Sequence, residues 1–178
     1  MKKTVFLPLL SIILAAAVLL GLSFGLKGIA AENAQKEHLQ MLQTLLPGSR
    51  HFTLEPYTGE DTNIRSVHKG ENGFVIETAT HGYADEIVML IGVSNDGKVK
   101  GLVVRELHET RGLGNRALTD WQYLSQYLNT AGDAQIGENV DAISGATVTS
   151  KAITRCVNSA VAYVTGTDTD SGATSWGG

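Results

Sequence analysis

Ile87-Val88-Met89-Leu90-Ile91-Gly92-Val93, followed at once by Ser94-Asn95-Asp96-Gly97-Lys98-Val99, decides the fold of this chain. A short uncharged run, rich in β-branched side chains and bounded by turn residues, reads as a buried strand, here Glu86 to Ser94. Asn-Asp-Gly between two apolar runs signals a hairpin, because Gly takes the positive φ that a tight reversal needs. Lys98 to Glu106 returns, with Val99, Leu102, Val103 and Val104 apolar. Gly92 marks either a bulge or a place where another backbone comes close. Upstream, Phe74 to Thr80 alternates as a strand does, and His81-Gly82-Tyr83-Ala84 breaks it. His51–Leu54 and Ile64–His68 add short extended patches to a polar stretch. These segments predict an antiparallel sheet.

Helical spacing frames that sheet. Ala30 to Leu46 reads as a helix with Leu39, Leu42, Leu45 and Leu46 in one stripe and Pro47-Gly48 as its stop. Asp120 to Asn129 reads as a short helix with Trp121, Leu124, Tyr127 and Leu128 on one face, and Ala134 to Ile143 as extended chain. After it, Val148, Ala152, Ile153, Cys156, Val157, Ala160, Val161 and Val164 recur at the spacing of one helix face. The fold class is α+β: an antiparallel twisted sheet with flanking helices, preceded by one N-terminal transmembrane helix.

That last element comes from the first residues. Lys2 and Lys3 precede Thr4 to Leu26, 23 residues without a charge. Such a run crosses a hydrocarbon core of about 30 Å. The positive end stays in the cytoplasm, which puts the rest of the chain outside. The rival reading is a cleaved signal peptide with Gly28-Ile29-Ala30 as its small-x-small site, but its apolar core would exceed the usual length of about 7–15 residues. The expected organisation is 1–28 cytoplasmic end and anchor, 29–48 juxtamembrane helix, 49–165 extracytoplasmic domain and 166–178 flexible tail, in a cell (inner) membrane protein with a single pass. A net charge of −4 without Lys or Arg clusters beyond Lys2-Lys3 argues against nucleic acid. The single cysteine, Cys156, excludes an internal disulfide and a Cys-based iron–sulfur site, and it reads as a small core residue.

The candidate site lies where the last helix starts. In Asp141-Ala142-Ile143-Ser144-Gly145-Ala146-Thr147-Val148-Thr149, an acid precedes a hydroxyl-Gly-Ala-hydroxyl tetrad that opens onto the helix. Free N–H groups and the positive end of the helix dipole meet there, a setting that holds phosphate well. Gly145 and Ala146 keep bulk away from the backbone. By spacing alone the hydroxyls also read as a helix cap. Asp168-Thr169-Asp170-Ser171-Gly172-Ala173-Thr174 repeats the pattern, but in a polar tail with no helix after it, so Thr174 is set aside as the main site.

Asp141-x-x-Ser144-Gly145-Ala146-Thr147 resembles the flavinylation motif of the FMN-binding domain family. That family includes the G subunits of Rnf-type electron-transport complexes and the C subunits of the sodium-pumping NADH:quinone reductase. The resemblance covers most of the chain after about Asn63. It implies FMN joined through a phosphoester to Thr147, with Ser144, Gly145, Ala146 and Thr149 around the phosphate. It also implies attachment from FAD by a separate magnesium-dependent flavin transferase. Asp141 has two readings: help to the transferase, or a loop cap that accepts backbone N–H bonds. The loop His108-Glu109-Thr110-Arg111-Gly112-Leu113-Gly114-Asn115 is similar to the family's Glu-Thr-Pro-Gly-Leu-Gly loop, which implies flavin-ring contacts for Glu109, Thr110, Leu113 and Gly114. Arg111 stands where the family has Pro, so the backbone angle Pro would fix is not fixed here. Tyr83, in a Gly-Tyr pair similar to the family's, reads either as a ring-stacking residue or as a tyrosine half-buried at a strand start.

Other chemistry is set aside. Gly112 to Ala117 imitates a dinucleotide fingerprint, but the strands before it are hairpin-joined rather than built from βαβ units. The five histidines show no ligand spacing, and Ser144, Thr147 and Thr149 have no nearby His and acid at triad spacing. The resemblance therefore implies a membrane-anchored electron-transfer subunit with covalent FMN, no metal of its own, and other subunits of an Rnf-type ion-translocating ferredoxin:NAD oxidoreductase as partners. The alternatives are the corresponding component of the sodium-pumping reductase, a stand-alone extracytoplasmic flavoprotein, and a non-redox binding module in which the hydroxyls only cap a helix.

Overall fold

The stretch Ile87 to Val93 lies inside a five-stranded antiparallel sheet. Its strands are β1 (Thr53–Glu55), β2 (Ile64–Lys69), β3 (Gly73–His81), β4 (Glu86–Ser94) and β5 (Val99–Leu107), in the spatial order β1-β2-β3-β4-β5. Each strand pairs with its neighbour in sequence, so the sheet is a plain meander. The structure, a computed structural model, describes residues 30, 32–83, 85–107 and 119–167. The predicted crossing at Thr4–Leu26, the loop with Glu109, Thr110, Arg111, Leu113 and Gly114, and the second tetrad at Asp168–Thr174 lie outside the described residues. Among those described, no helix is long and apolar enough to cross a membrane.

The hairpin forms as its sequence directs. Gly97 takes φ +78°, its N–H donates to the Ser94 carbonyl at 2.8 Å, and the Ser94 N–H closes on Lys98 at 2.9 Å. This is a turn finished by a glycine in the left-handed region, which suits the twist of the flanking strands.

Residues 32–45 are helical (α1). The chain divides into two compact units, Met1–Gln40 and Met41–Gly178. Within the first, Lys36 pairs with Glu32 one turn away at 2.7 Å. The second begins with the last turn of α1, where Leu42, Leu45 and Leu46 are 2%, 4% and 1% exposed and pack on Val75 and Leu90. Leu39, in the first unit, is 38% exposed. The neighbouring residues Ile76, Met89 and Ile91 point to the opposite face, because side chains alternate along a strand. There they meet the long helix α3, Thr147–Thr165, through Ile153, Cys156, Val157, Ala160 and Val161. Both faces of the sheet are thus covered, which is why β4 carries an unbroken apolar run instead of an alternating one.

Gly92 does both things its position suggests. The β4–β5 register shifts between Gly92 and Val93, and a Cβ on Gly92 would run into the Leu45 carbonyl oxygen. Its cross-strand partner is Gly101, whose added Cβ would lie 2.9 Å from Leu45 Cα. The two glycines form a dent in which the end of α1 sits. Cys156 is fully buried as expected, and burial pushes its thiol pKa up, leaving a packed and unreactive group.

Three expectations need correction. Trp121 is 59% exposed, while Tyr123, outside the predicted stripe, is 4% exposed. The short helix α2 (Trp121–Leu124) tightens into a 3-10 turn over Ser125–Tyr127, which brings 123, 124 and 127 to one side. Residues 134–143 are not extended: Gly137 (φ +86°) turns the chain, and Val140 pairs back with Ile136 in an isolated bridge. Val148, predicted on the buried face of the last helix, is 38% exposed; Thr149 and Ser150 are buried in its place. It belongs to the first turn, ahead of the point where the helix meets the sheet.

Candidate functional site

The tetrad is presented by a turn and a helix start. Ala146 N–H donates to the Ile143 carbonyl at 2.9 Å, and Gly145 within that turn takes φ +80°, a conformation that excludes most side chains. Ala146 is the N-cap and is 5% exposed. Thr147 is therefore the first residue of α3. The helix runs 19 residues and stops at Gly166 (φ +68°), whose N–H returns to the Ala162 carbonyl at 2.8 Å.

No side chain caps this helix. The cap reading of the two hydroxyls is thereby overturned: Ser144 precedes the cap position and Thr147 follows it, so neither oxygen accepts from the first turn. Both residues are exposed. The N–H groups of Thr147, Val148 and Thr149 have no carbonyl one turn back within the helix. An exposed hydroxyl thus stands beside unsatisfied donors at the positive end of a long helix dipole. A singly charged phosphodiester on Thr147 would fit that setting: the small Gly145 and Ala146 leave room, and the first-turn N–H groups would hold its charge.

The other expected residues are distributed unevenly. Thr149 is 1% exposed and turned into the core. Asp141 is exposed; its own N–H donates to Gln126 Oε1 at 2.9 Å, tying the loop to the 3-10 turn. No described N–H donates to the Asp141 carboxylate, so the loop-cap reading of that side chain is not realised. Tyr83 is 74% exposed in the turn between β3 and β4, not half-buried at a strand start. The chain brings Asp141, Ser144, Gly145, Ala146 and Thr147 together on one loop. Among the described residues, no group of three His, Cys, Asp or Glu could hold a metal ion.

Beneath the loop lies a cluster that the motif reading passed over. Asp120 caps α2 by accepting the Gln122 and Tyr123 N–H groups at 2.9 and 3.3 Å. This sets Tyr123 and Tyr127 edge to face at 5.8 Å, with their hydroxyls 2.8 Å apart. Tyr127 Oη also lies 2.8 Å from Thr154 Oγ1. Burial raises the pKa of both tyrosines, for Tyr127 with the added charge of Tyr123, so both hydroxyls stay protonated. The signal was present in sequence: hydroxyl residues at i, i+4 on two successive helices, Tyr123/Tyr127 and Ser150/Thr154.

The site sits within a recognised domain. Residues 82–162 match the FMN-binding domain family. The chain is 36% identical over 98 residues to the G subunit of the Na(+)-translocating ferredoxin:NAD(+) oxidoreductase complex of Acetobacterium woodii, covering 50% of this chain and 47% of that protein. It is 33% identical over 170 residues to the G subunit of the ion-translocating oxidoreductase complex of Methanosarcina acetivorans, covering 84% of this chain and 87% of that one. With the G subunit of the Escherichia coli K12 complex it shares 28% identity over 160 residues, 77% of this chain and 78% of its relative. The chain spans about half the length of the Acetobacterium relative and most of the other two. It belongs to the family formed by the G subunits of ion-translocating oxidoreductase complexes.

Proposed function

We propose that this chain carries FMN covalently on Thr147 and relays electrons within an Rnf-type ion-translocating ferredoxin:NAD oxidoreductase complex. The observation that carries the reading is the exposed Thr147 hydroxyl at the uncapped start of α3, inside the stretch that matches the FMN-binding domain. Attachment forms a P–O bond between Thr147 Oγ1 and the flavin-side phosphorus of FAD. It breaks the pyrophosphate, releasing AMP and the hydroxyl proton. A separate flavin transferase is the proposed catalyst of this step.

Once attached, FMN supplies reversible electron uptake and release. The chain's own groups do the rest. First-turn N–H groups hold the phosphate, Gly145 and Ala146 keep the approach open, and Asp141 stands beside the loop for the transferase to read. Glu109, Thr110, Leu113, Gly114 and Tyr83 are the proposed ring contacts. Lys2 and Lys3 ahead of the uncharged Thr4–Leu26 support a single-pass anchor with the domain outside the cytoplasm. In that arrangement residues 1–28 form the anchor, the helix of 29–48 leads into the domain of 49–165, and 166–178 trail as a tail.

The test is intact and peptide mass after co-expression with a flavin transferase. The wild-type chain should gain one FMN increment on the peptide containing Thr147. Thr147→Ala should abolish the increment and Thr174→Ala should leave it. An increment retained by Thr147→Ala refutes the assignment.

A further inference from the structure

The hydroxyls under the tetrad can be given directions by counting protons. Thr154 Oγ1 donates to the Ser150 carbonyl at 3.0 Å, so its one proton is used. Tyr127 Oη, 2.8 Å from Thr154 Oγ1, must then be the donor to it; the Ser150 carbonyl is farther, at 3.5 Å. With the Tyr127 proton committed, the 2.8 Å contact between the tyrosines is donated by Tyr123. These three hydroxyls form a buried chain that ends on the Ser150 carbonyl. Ser150 and Tyr127 are 0% exposed, Thr154 1% and Tyr123 4%, so water does not compete.

On the side facing the loop, the Ser150 hydroxyl oxygen accepts the Ile143 N–H at 3.3 Å. The Ser150 N–H meanwhile donates to the Ala146 carbonyl at 2.9 Å. One buried serine therefore grips both ends of the Ile143–Ala146 turn from which Thr147 emerges.

We propose that Ser150 is a positioning residue for the modification of Thr147: its hydroxyl bond to the Ile143 N–H and its N–H bond to the Ala146 carbonyl set the turn that presents the Thr147 hydroxyl. The proposal rests on Thr147 being the attachment residue. A nucleophile held in one geometry reacts faster than one on a loose turn, and a displacement of about 1 Å is enough to cost a large factor in rate. Removing the serine oxygen leaves the Ile143 N–H unpaired.

The experiment uses the full chain with a flavin transferase, FAD and magnesium, following the mass increment at saturating and limiting chain. Ser150→Ala should lower the saturated rate by about tenfold or more, with the half-saturating concentration held within about threefold. Ser150→Thr, which keeps the oxygen, should recover most of the rate. In chain never exposed to flavin, the Ile143 amide should exchange about tenfold faster in Ser150→Ala. Ala160→Gly weakens the same helix two turns or more away and should leave the attachment rate unchanged. Wild-type rate and wild-type Ile143 protection in Ser150→Ala would overturn the proposal, as would equal slowing in Ala160→Gly. If the wild-type chain gains no FMN, the proposal falls with the attachment reading; faster Ile143 exchange in Ser150→Ala would then identify attachment, and not the Ser150 hold on the turn, as what failed.

Discussion

A methyl group at position 92 has nowhere to go. Gly92 and Gly101 face each other across β4 and β5, and the Leu45 backbone fills the space above both. Gly92→Ala should therefore cost about 1–3 kcal/mol, the usual range for forcing atoms into a packed core, seen as a lowered melting midpoint. An unchanged melt would show that the end of α1 is not seated there. Glu71 makes a different prediction. It accepts the Arg50 and His51 N–H groups at 2.9 and 3.2 Å, with His51 Nδ1 at 3.0 Å, tying the chain after α1 to the β2–β3 turn. Bonding to its own backbone N–H, then to the His51 side chain, lowers its pKa from 4.5 to about 2. A carboxylate depressed on folding adds stability that is complete above the unfolded value and lost as pH falls through the folded one. This contribution should fade between pH 4.5 and about 2, and Glu71→Gln should flatten that part of the pH–stability curve. A carboxyl titration by NMR with its midpoint near 4.5 would contradict it.

At the scale of elements, α3 carries the core on one side of the sheet and the tetrad at its start. Ile153 is fully buried, so Ile153→Ala should cost about 2–5 kcal/mol in chemical denaturation. Val148→Ala, on the exposed first turn, should stay within about 0.5 kcal/mol. Equal losses at the two positions would mean the helix packs through a different face. The sheet and this helix were legible in the sequence because their signals are local: apolar runs, an Asn-Asp-Gly reversal, a three-and-four spacing. The segment 134–143 was not, since its shape depends on Asn139 accepting the Gln135 N–H at 2.7 Å and donating to the Asp133 carbonyl at 2.9 Å. Nor was the buried stripe of α2, where a switch to the 3-10 turn moves the helix period. The tetrad could be found from its residues, whereas the hydroxyl chain that ends on the Ser150 carbonyl is made where the 3-10 turn after α2 meets α3, and leaves only paired spacings behind.

For the molecule as a whole, two apolar layers press on one sheet. The layer from Leu42, Leu45 and Leu46 lies upstream of Ser49, inside the stretch whose sequence predicts a separate juxtamembrane helix. A chain beginning at Met41 should fold cooperatively. One beginning at Ser49 should leave Val75 and Leu90 bare, bind a hydrophobic dye and melt at a lower temperature. Indistinguishable melts would show that the last turn of α1 adds nothing. The strictly sequential meander has a temporal consequence too. Every strand finds its partner a few residues back, so the sheet can zip up while synthesis is still under way. Its cover α3 comes last in chain order among the described elements. The threonine proposed to carry the flavin is therefore seated only once that helix docks, which would make a mature fold the natural checkpoint before any cofactor is committed to it.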